Sequence, residues 1–323
     1  MDILTDTLRN QLLDRRERLD SVIRRSPDEN LLGLLRQVDA ALERIDHGSF
    51  GICEVCQGAI EADRLLANPL ARTCLEDLDK QEQAALERDL ELAAQVQWNL
   101  LPPRHQQLDG WEVCFDYRPF RVASGDYCDV IAGRDNLNVI LGDVSGKGVA
   151  ASMLVANLHG LFRTLLPDGT NLAASVGRAN RIFCESTMAS HYATLLLMRA
   201  DQAGSVTLVN AGHCTPYVMS ENSVRPLPST SLPLGVFAEA SFQVTDVTLE
   251  PGDRLFAYTD GLSEARNSLD QEYGAVRLEN WLTSCGSMSS DELLKACLND
   301  LDAFRCADGV NDDLTVLLLK RRA

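Results

Sequence analysis

The residues best suited to chemistry are aspartates at abrupt ends of strand-like runs. Asp126 lies in Ala-Ser-Gly-Asp-Tyr, and Asp143 comes directly after the apolar run Val139-Ile140-Leu141 and a glycine. Asp260 follows Leu255-Phe256-Ala257-Tyr258-Thr259, and Asp312 with Asp313 precedes the apolar run 314–319. Strand ends hold carboxylates rigidly at a sheet edge, and the neighbouring glycines clear space for a ligand to approach. All-oxygen donors suit hard divalent cations such as magnesium and manganese. Two such ions about 4 Å apart can clamp a phosphoryl group and acidify a shared water, a chemistry that needs no serine or cysteine nucleophile. Each aspartate taken alone is an ordinary turn residue.

A second group is sulfur-rich. Cys53 and Cys56 form a C-x-x-C knuckle, and Cys74 with Asp77 forms a C-x-x-D hook further on. Paired hooks of this kind hold zinc, and a carboxylate is an acceptable fourth donor. His47, just before the knuckle, is the alternative fourth ligand. The other seven cysteines are scattered singly and read as reduced, buried thiols.

The elements that must position these groups fall into four segments: a helical hairpin over 1–47, a cysteine knot over 48–77, a linker helix over 78–101 and a large domain over 102–323. In the hairpin, Ser26 and Pro27 are the expected N-cap and first residue of the second helix. The linker helix carries Leu86, Leu90, Ala93 and Leu100, with Val96 or Gln97 between, as a narrow apolar seam, and Pro102-Pro103 stops it. The large domain reads WEVCFDYRP, LNVILGDV, YATLLLMRA, SVTLVNAG, TPYVMS, FQVTDVTL, DRLFAYTDG and LTVLLLK as strands, with helices over 150–166, 171–188 and 290–304. Hairpin-length connections between most strands predict an α+β domain, an antiparallel β-sandwich flanked by helices.

Composition narrows the function. The chain has 323 residues, 45% apolar, and a net charge of −17. That charge argues against a broad nucleic-acid-binding surface. No apolar run is long enough for a membrane span or a secretory signal, so a cytoplasmic protein is expected.

Taken together and in order, several motifs carry a resemblance. They are Ser124-Gly-Asp-Tyr-Cys-Asp129, Leu141-Gly-Asp-Val-Ser-Gly-Lys-Gly148, Asn210-Ala-Gly-His-Cys-Thr-Pro216, Pro233-Leu-Gly-Val236, Pro251-Gly-Asp-Arg-Leu-Phe256, Tyr258-Thr-Asp-Gly-Leu-Ser-Glu-Ala265 and Asn311-Asp-Asp-Leu-Thr-Val316. The series resembles the PPM-type metal-dependent serine/threonine protein phosphatases, in the SpoIIE branch with the bacterial stress-response phosphatases. The resemblance implies two Mn2+ or Mg2+ ions. It makes Asp126, Asp143, Asp260 and Asp312 the catalytic ligands, with Asp143 bridging and Val144 lending its carbonyl. Asp313 is the alternative to Asp312, and Asp129 is an outer, water-mediated ligand. Ser124 and Cys128 stand where the family more often has glycine and an aromatic residue; neither is a ligand. His213 reads as structural, and Lys147 either meets phosphate or is a solvated loop lysine.

The stretch from Asp39 through Gly48-Ser-Phe-Gly-Ile-Cys-Glu-Val-Cys56 and Arg64-Leu-Leu-Ala67 to Cys74 resembles the DksA/TraR-type zinc fingers. That resemblance implies one structural Zn2+ on Cys53, Cys56, Cys74 and Asp77. The expected activity is hydrolysis of phosphoserine or phosphothreonine on a regulatory protein such as an anti-anti-sigma-type factor. Homodimerisation through the N-terminal module and linker helix is expected as well. Two rival readings are a catalytically silent phosphatase-fold scaffold and an RNA-polymerase-binding regulator acting through a hairpin tip at residues 26–30.

Overall fold

The computed structural model describes residues 3–24, 29–77, 80–166, 171–188, 190–221, 223–286, 288–305 and 312–322. The expected N-cap Ser26 and helix-opening Pro27 lie outside them, as does most of the hairpin tip. The chain divides into two compact units, Met1–Asp89 and Leu90–Ala323. The division falls inside the linker helix rather than at its end.

In the first unit, α1 (Ile3–Ile23) and α2 (Glu29–Asp46) pack because each carries one apolar stripe. Leu12 meets Val38, Ala41, Leu42 and Ile45, and Leu8 reaches a second small core with Cys53, Ile60, Leu65, Ala71 and Cys74. The ion pairs Arg9–Asp46 and Arg16–Asp39 run along the solvent side. Exposed pairs of this kind add little. A short α3 (Ala62–Ala67) and a single 3-10 turn at Leu75–Asp77 complete the knot.

The helix α4 (Lys80–Trp98) begins in the first unit and ends in the second. The expected seam residues Leu86, Leu90, Ala93 and Leu100 are partly buried. Of the two alternatives between them, Gln97 is buried and Val96 exposed, and Val96 with Leu92, one turn before it, leaves an exposed apolar pair.

The second unit is a sandwich of two antiparallel sheets. One holds β1 (His105–Leu108), β2 (Trp111–Arg118), β7 (Tyr217–Ser220), β8 (Ser223–Pro226), β10 (Arg254–Tyr258) and β11 (Leu314–Arg321), in the order β1-β2-β11-β10-β7-β8. The other runs β3-β4-β5-β6-β9, with β3 (Asp126–Ala132), β4 (Asn136–Val144), β5 (Ala193–Asp201), β6 (Ser205–Ala211) and β9 (Thr245–Thr248). Helices α5 (Val149–Leu165) and α6 (Leu172–Ser186) cover the five-stranded sheet, while α8 (Ala275–Thr283) and α9 (Ser290–Phe304) cover the six-stranded one; the single-turn α7 (Asp260–Ser263) lies between β10 and α8.

Alternation along each strand assigns its side chains to two cores. On β4, Val139 and Leu141 enter the inter-sheet core while Ile140 meets α5 and α6. On β11, Leu317 and Leu319 face inward, and Val316 and Leu318 face α8 and α9. Strands buried on both faces read as continuous apolar runs, which is why these were legible. The strands not foreseen are polar or charged: β1 reads HQQL, β8 reads SVRP, and β3 carries Asp126 and Asp129. FQVTDVTL narrows to the four residues of β9. Helix α9 opens with a capping box between Ser289 and Glu292.

Candidate functional site

The strand pairing places the first two aspartates face to face. Asp126, the first residue of β3, is the cross-strand partner of Asp143, next to last on β4, and Asp143 is paired in turn with Thr194 on β5. The other sheet supplies the rest. β10 ends at Tyr258, Thr259 follows, and Asp260 opens α7. Asp312 and Asp313 lie just before β11, which pairs with β10.

Two threonines tie the sheets together at this end. Thr259 Oγ1 and Thr315 Oγ1 donate to Asp126 Oδ2 at 3.0 and 2.5 Å, and Thr315 N donates to Thr259 Oγ1 at 2.8 Å. Asp126 is almost completely buried, and its Oδ1 has no hydrogen-bond partner. An unmatched carboxylate oxygen in the interior is costly unless a cation meets it.

The charges report the same deficit. Burial, reinforced by Asp143, holds the Asp126 carboxyl well above the usual range. Burial, then the charges of Asp260, Asp312 and Asp313, push Asp143 up to about 8. Asp260 rises to about 6 through burial and the charge of Asp312. Carboxylates gathered like this repel one another, and divalent cations would restore them to the ionised form. Each donor is a hard oxygen, so the residues present fit magnesium or manganese.

Asp312 and Asp313 have different surroundings. Both oxygens of buried Asp313 are taken by main-chain amides: Oδ1 accepts from Phe120 N at 2.7 Å and Oδ2 from Gly125 N at 2.8 Å. It pins the loop that leads to Asp126. Asp312 is half-exposed and meets Lys147 Nζ at 3.1 Å. Its charge acts on both Asp143 and Asp260. Lys147 also lies 5.5 Å from the centre of the Phe120 ring, so it is neither a bare solvated lysine nor free of the site.

Close backbone approach explains two glycines. A Cβ on Gly125 would lie 2.8 Å from the Val144 carbonyl oxygen, and one on Gly261 would lie 1.9 Å from the Asp313 carbonyl oxygen. Neither position has room for a side chain.

The expectation for Asp129 is corrected. It sits on the helix-facing side of β3, with no exposure, and Arg163 binds it through Nε at 3.0 Å and Nη2 at 2.8 Å. Three residues along a strand invert the face, so Asp126 and Asp129 point into different cores. His213 is buried, with Nδ1 at 2.8 Å from Thr194 Oγ1, and desolvation lowers it to about 4. It therefore stays neutral and braces the strand opposite Asp143.

A part for Gln97 of α4 at this site was not foreseen. Its buried side-chain amide clasps Ser124, donating to the carbonyl at 2.6 Å and accepting from the amide at 2.9 Å, two residues before Asp126. Trp98 packs edge-on against Tyr117 at 5.4 Å beside it. A glutamine amid apolar residues on an otherwise charged helix is the only signal the sequence offers.

In the first unit, Cys53, Cys56, Cys74 and Asp77 bring one donor atom each within 4.8 Å of all the others. Cys53 and Cys74 Sγ both lie 3.0 Å from Asp77 Oδ2, and Cys56 Sγ lies 3.6 Å from Cys74 Sγ. The donors match a tetrahedral Cys3Asp zinc site. His47 is absent from the group; its Nδ1 lies 2.7 Å from the Glu43 carbonyl oxygen of its own helix.

Comparison with known proteins finds relatives for both units. Residues 48–76 match the prokaryotic dksA/traR C4-type zinc finger. Among curated proteins, the chain is 28% identical to protein IcfG of Synechocystis over 267 residues, covering 72% of this chain and 41% of that one. It is 24% identical to the phosphoserine phosphatase RsbU of Bacillus subtilis, covering 74% of this chain and 72% of RsbU. Among solved structures, the RsbU and RsbW domains of a Mycobacterium tuberculosis protein superpose with a TM-score of 0.58 at 26% identity, over 66% of this chain and 60% of that one. The SiaA-PP2C domain of Pseudomonas aeruginosa superposes at 0.66 with 19% identity, over 75% and 98%, a likeness of fold. Among the described residues, no helix is long and apolar enough to cross a membrane. Residues 133–322 match the family described as stage II sporulation protein E (SpoIIE), and with more than half its length and three of the four aspartates inside that match, the chain belongs to the SpoIIE family.

Proposed function

We propose that this protein is a metal-dependent phosphatase that removes phosphate from serine or threonine of a regulatory phosphoprotein in the cytoplasm. The observation that carries this reading is the buried Asp126 oxygen without a partner, on a residue paired across the strands with Asp143, which in turn feels the charges of Asp260 and Asp312 from the other sheet. Asp126, Asp143, Asp260 and Asp312, with the Val144 carbonyl, would hold two Mn2+ or Mg2+ ions. When bound, such ions supply an acidified water and a clamp for the phosphoryl group. The chain's own residues fix the geometry: Thr259 and Thr315 orient Asp126, Asp313 and Gln97 hold the loop before it, and Lys147 sits at the exposed rim beside Asp312. The likeness to RsbU supports phosphoserine as the substrate group. An anti-anti-sigma-type factor is the substrate class in keeping with that branch.

One Zn2+ on Cys53, Cys56, Cys74 and Asp77 would knit the knot. Homodimerisation is supported by the exposed pair Leu92 and Val96 on α4, and sedimentation velocity of the Leu92→Ser/Val96→Ser variant checks it. The scaffold reading fares worse, because a silent fold has no use for an unmatched buried carboxylate. The polymerase-binding reading rests on a hairpin tip of which residues 26–28 lie outside the described residues.

The decisive test is hydrolysis of an aryl phosphate and a phosphoserine peptide with added manganese. Activity that depends on the metal and vanishes in Asp143→Ala is expected. No turnover with any divalent ion would return the scaffold to first place.

A further inference from the structure

The loop 231–240, between β8 and β9, shows apolar side chains to solvent while its main chain is firmly held. Asn180 on α6 is fully buried and commits its amide to this loop: Nδ2 donates to the carbonyls of Phe237 at 2.9 Å and Ala238 at 3.1 Å, and Oδ1 accepts from Gly235 N at 2.9 Å. Leu234 and Ala193 exchange both main-chain hydrogen bonds, at 2.8 and 2.9 Å. Gly235 has a φ of +89°, and a Cβ there would lie 2.6 Å from the His191 carbonyl oxygen. Yet the side chains that this framework positions, Val236 and Phe237, are 43% and 62% exposed, and neighbouring Tyr192 is 46% exposed.

These residues are continuous with the carboxylate site. Tyr192 O accepts from Ser145 N, and Tyr192 N donates to Ser145 Oγ, both at 2.9 Å. Ser145 directly follows Asp143 and Val144, whose carbonyl is a proposed metal ligand. Single exposed apolar residues are ordinary, but a pinned group of them beside a reaction centre marks an interaction surface.

We propose that Tyr192, Val236 and Phe237 form a docking surface for apolar side chains flanking the phosphorylated residue of the protein substrate. The proposal rests on the phosphatase reading above. Charge selects the type of contact: the chain carries −17 overall, so long-range attraction does not favour an anionic phosphoprotein. Binding energy beyond the phosphoryl group must then come from packing, to which aromatic anchors on a preorganised loop are suited.

The test uses two short fluorescein-labelled phosphoserine peptides, one with leucine on each side of the phosphoserine and one with alanine, and the manganese-loaded full chain. Binding is read by anisotropy, and turnover of both peptides and of an aryl phosphate is followed in parallel. Wild type should favour the leucine peptide about tenfold, through Kd and KM rather than kcat. Val236→Ser/Phe237→Ser should erase that preference and leave aryl phosphate turnover unchanged. Equal handling of the two peptides by wild type, or a preference that survives the double substitution, overturns the proposal. So does a dimer that dissociates in the double variant, because a second copy would then cover the surface. Failure on every phosphate sinks the enzyme reading alone, since anisotropy still reports docking.

Discussion

The two candidate metal centres are built on opposite plans. The cysteine knot draws its donors from residues 53–77, held by short turns and one small core. The carboxylate centre draws Asp126 and Asp143 from one sheet and Asp260 and Asp312 from the other, so it exists only when the sandwich is closed. A local centre can stabilise its own surroundings, whereas a distributed one reports on the packing of a whole domain. The first suits structural support, and the second suits a site whose activity can be altered from a distance.

That contrast can be broken most sharply at the knot. Chelation, or Cys74→Ser, should unfold residues 48–77 as a unit, since a structural zinc supplies about 10–16 kcal/mol of apparent binding energy. Hydrogen exchange should show protection lost there and retained in the sandwich, and metal analysis should give one zinc per chain before treatment. Protection that survives chelation would mean the apolar residues suffice.

At the carboxylate centre the corresponding experiment separates Asp312 from Asp313. Asp312→Asn should lower manganese-dependent turnover on the order of 10²-fold or more with little change in Tm, because its side chain is half-exposed and its main-chain hydrogen bond, from the adjacent Asp313 N at 3.0 Å, ties down no distant segment. Asp313→Asn should lower Tm as well, since it weakens two hydrogen bonds to main-chain amides, one buried and one partly buried, each worth about 1.5–3 kcal/mol. Equal effects on turnover and Tm in both variants would erase the distinction drawn here.

A smaller effect is expected at Gln97. Gln97→Ala leaves the buried amide and carbonyl of Ser124 without their partner and should lower kcat about tenfold, with weaker manganese dependence, as loss of an outer support does. Turnover equal to wild type would show that the clasp is only packing.

The subtlest readout is protons. In the metal-free protein the folded-state pKa of Asp143 lies near 8 and that of Asp260 near 6, both raised above the usual aspartate value near 3.8. The folded state then binds more protons than the unfolded one between about pH 4 and 8, so metal-free stability should fall as pH rises through that window. Manganese loading at pH 7 should release at least about one proton, because Asp143 and the more deeply buried Asp126 are both raised, and the Asp143 share should fade above pH 8, measured in weakly buffered solution. Loading without proton release at pH 7 would remove Asp143 from the ligand set.

Much of this was legible in the sequence because strands buried on both faces leave long apolar runs, and because Asp143 and Asp260 come at the ends of such runs and Asp312 just before one. Val139-Ile140-Leu141 and the run 314–319 needed no partner information to be recognised. The missed elements owe their state to distant partners. β3 holds a buried charge, Asp129, tolerable only because Arg163 reaches it from α5, and no local pattern announces that pair. β1 and β8 are polar edge strands stabilised by their neighbours, β2 and β7. The pairing with Arg163 draws Asp129 away from the place that the resemblance gave it, and the pleat turns Asp126 and Asp129 to opposite faces. The clasp by Gln97 depends on a contact between a helix and a loop 27 residues later, which spacing alone cannot reveal.

The pairing of β2 with β11 has a consequence for how the protein comes into being. Trp111 lies opposite Arg321, and Arg118 opposite Leu314, so the middle of the six-stranded sheet joins segments made far apart in time. Pairings of such long sequence separation form slowly. On the ribosome, the cysteine knot can close as soon as its own residues emerge. The sandwich must wait for β11, and until then β2 and β10 lack the strand that runs between them. A nascent chain is therefore expected to carry a finished N-terminal module ahead of an inert catalytic domain, with the reactive centre completed only by the segment that brings Asp312.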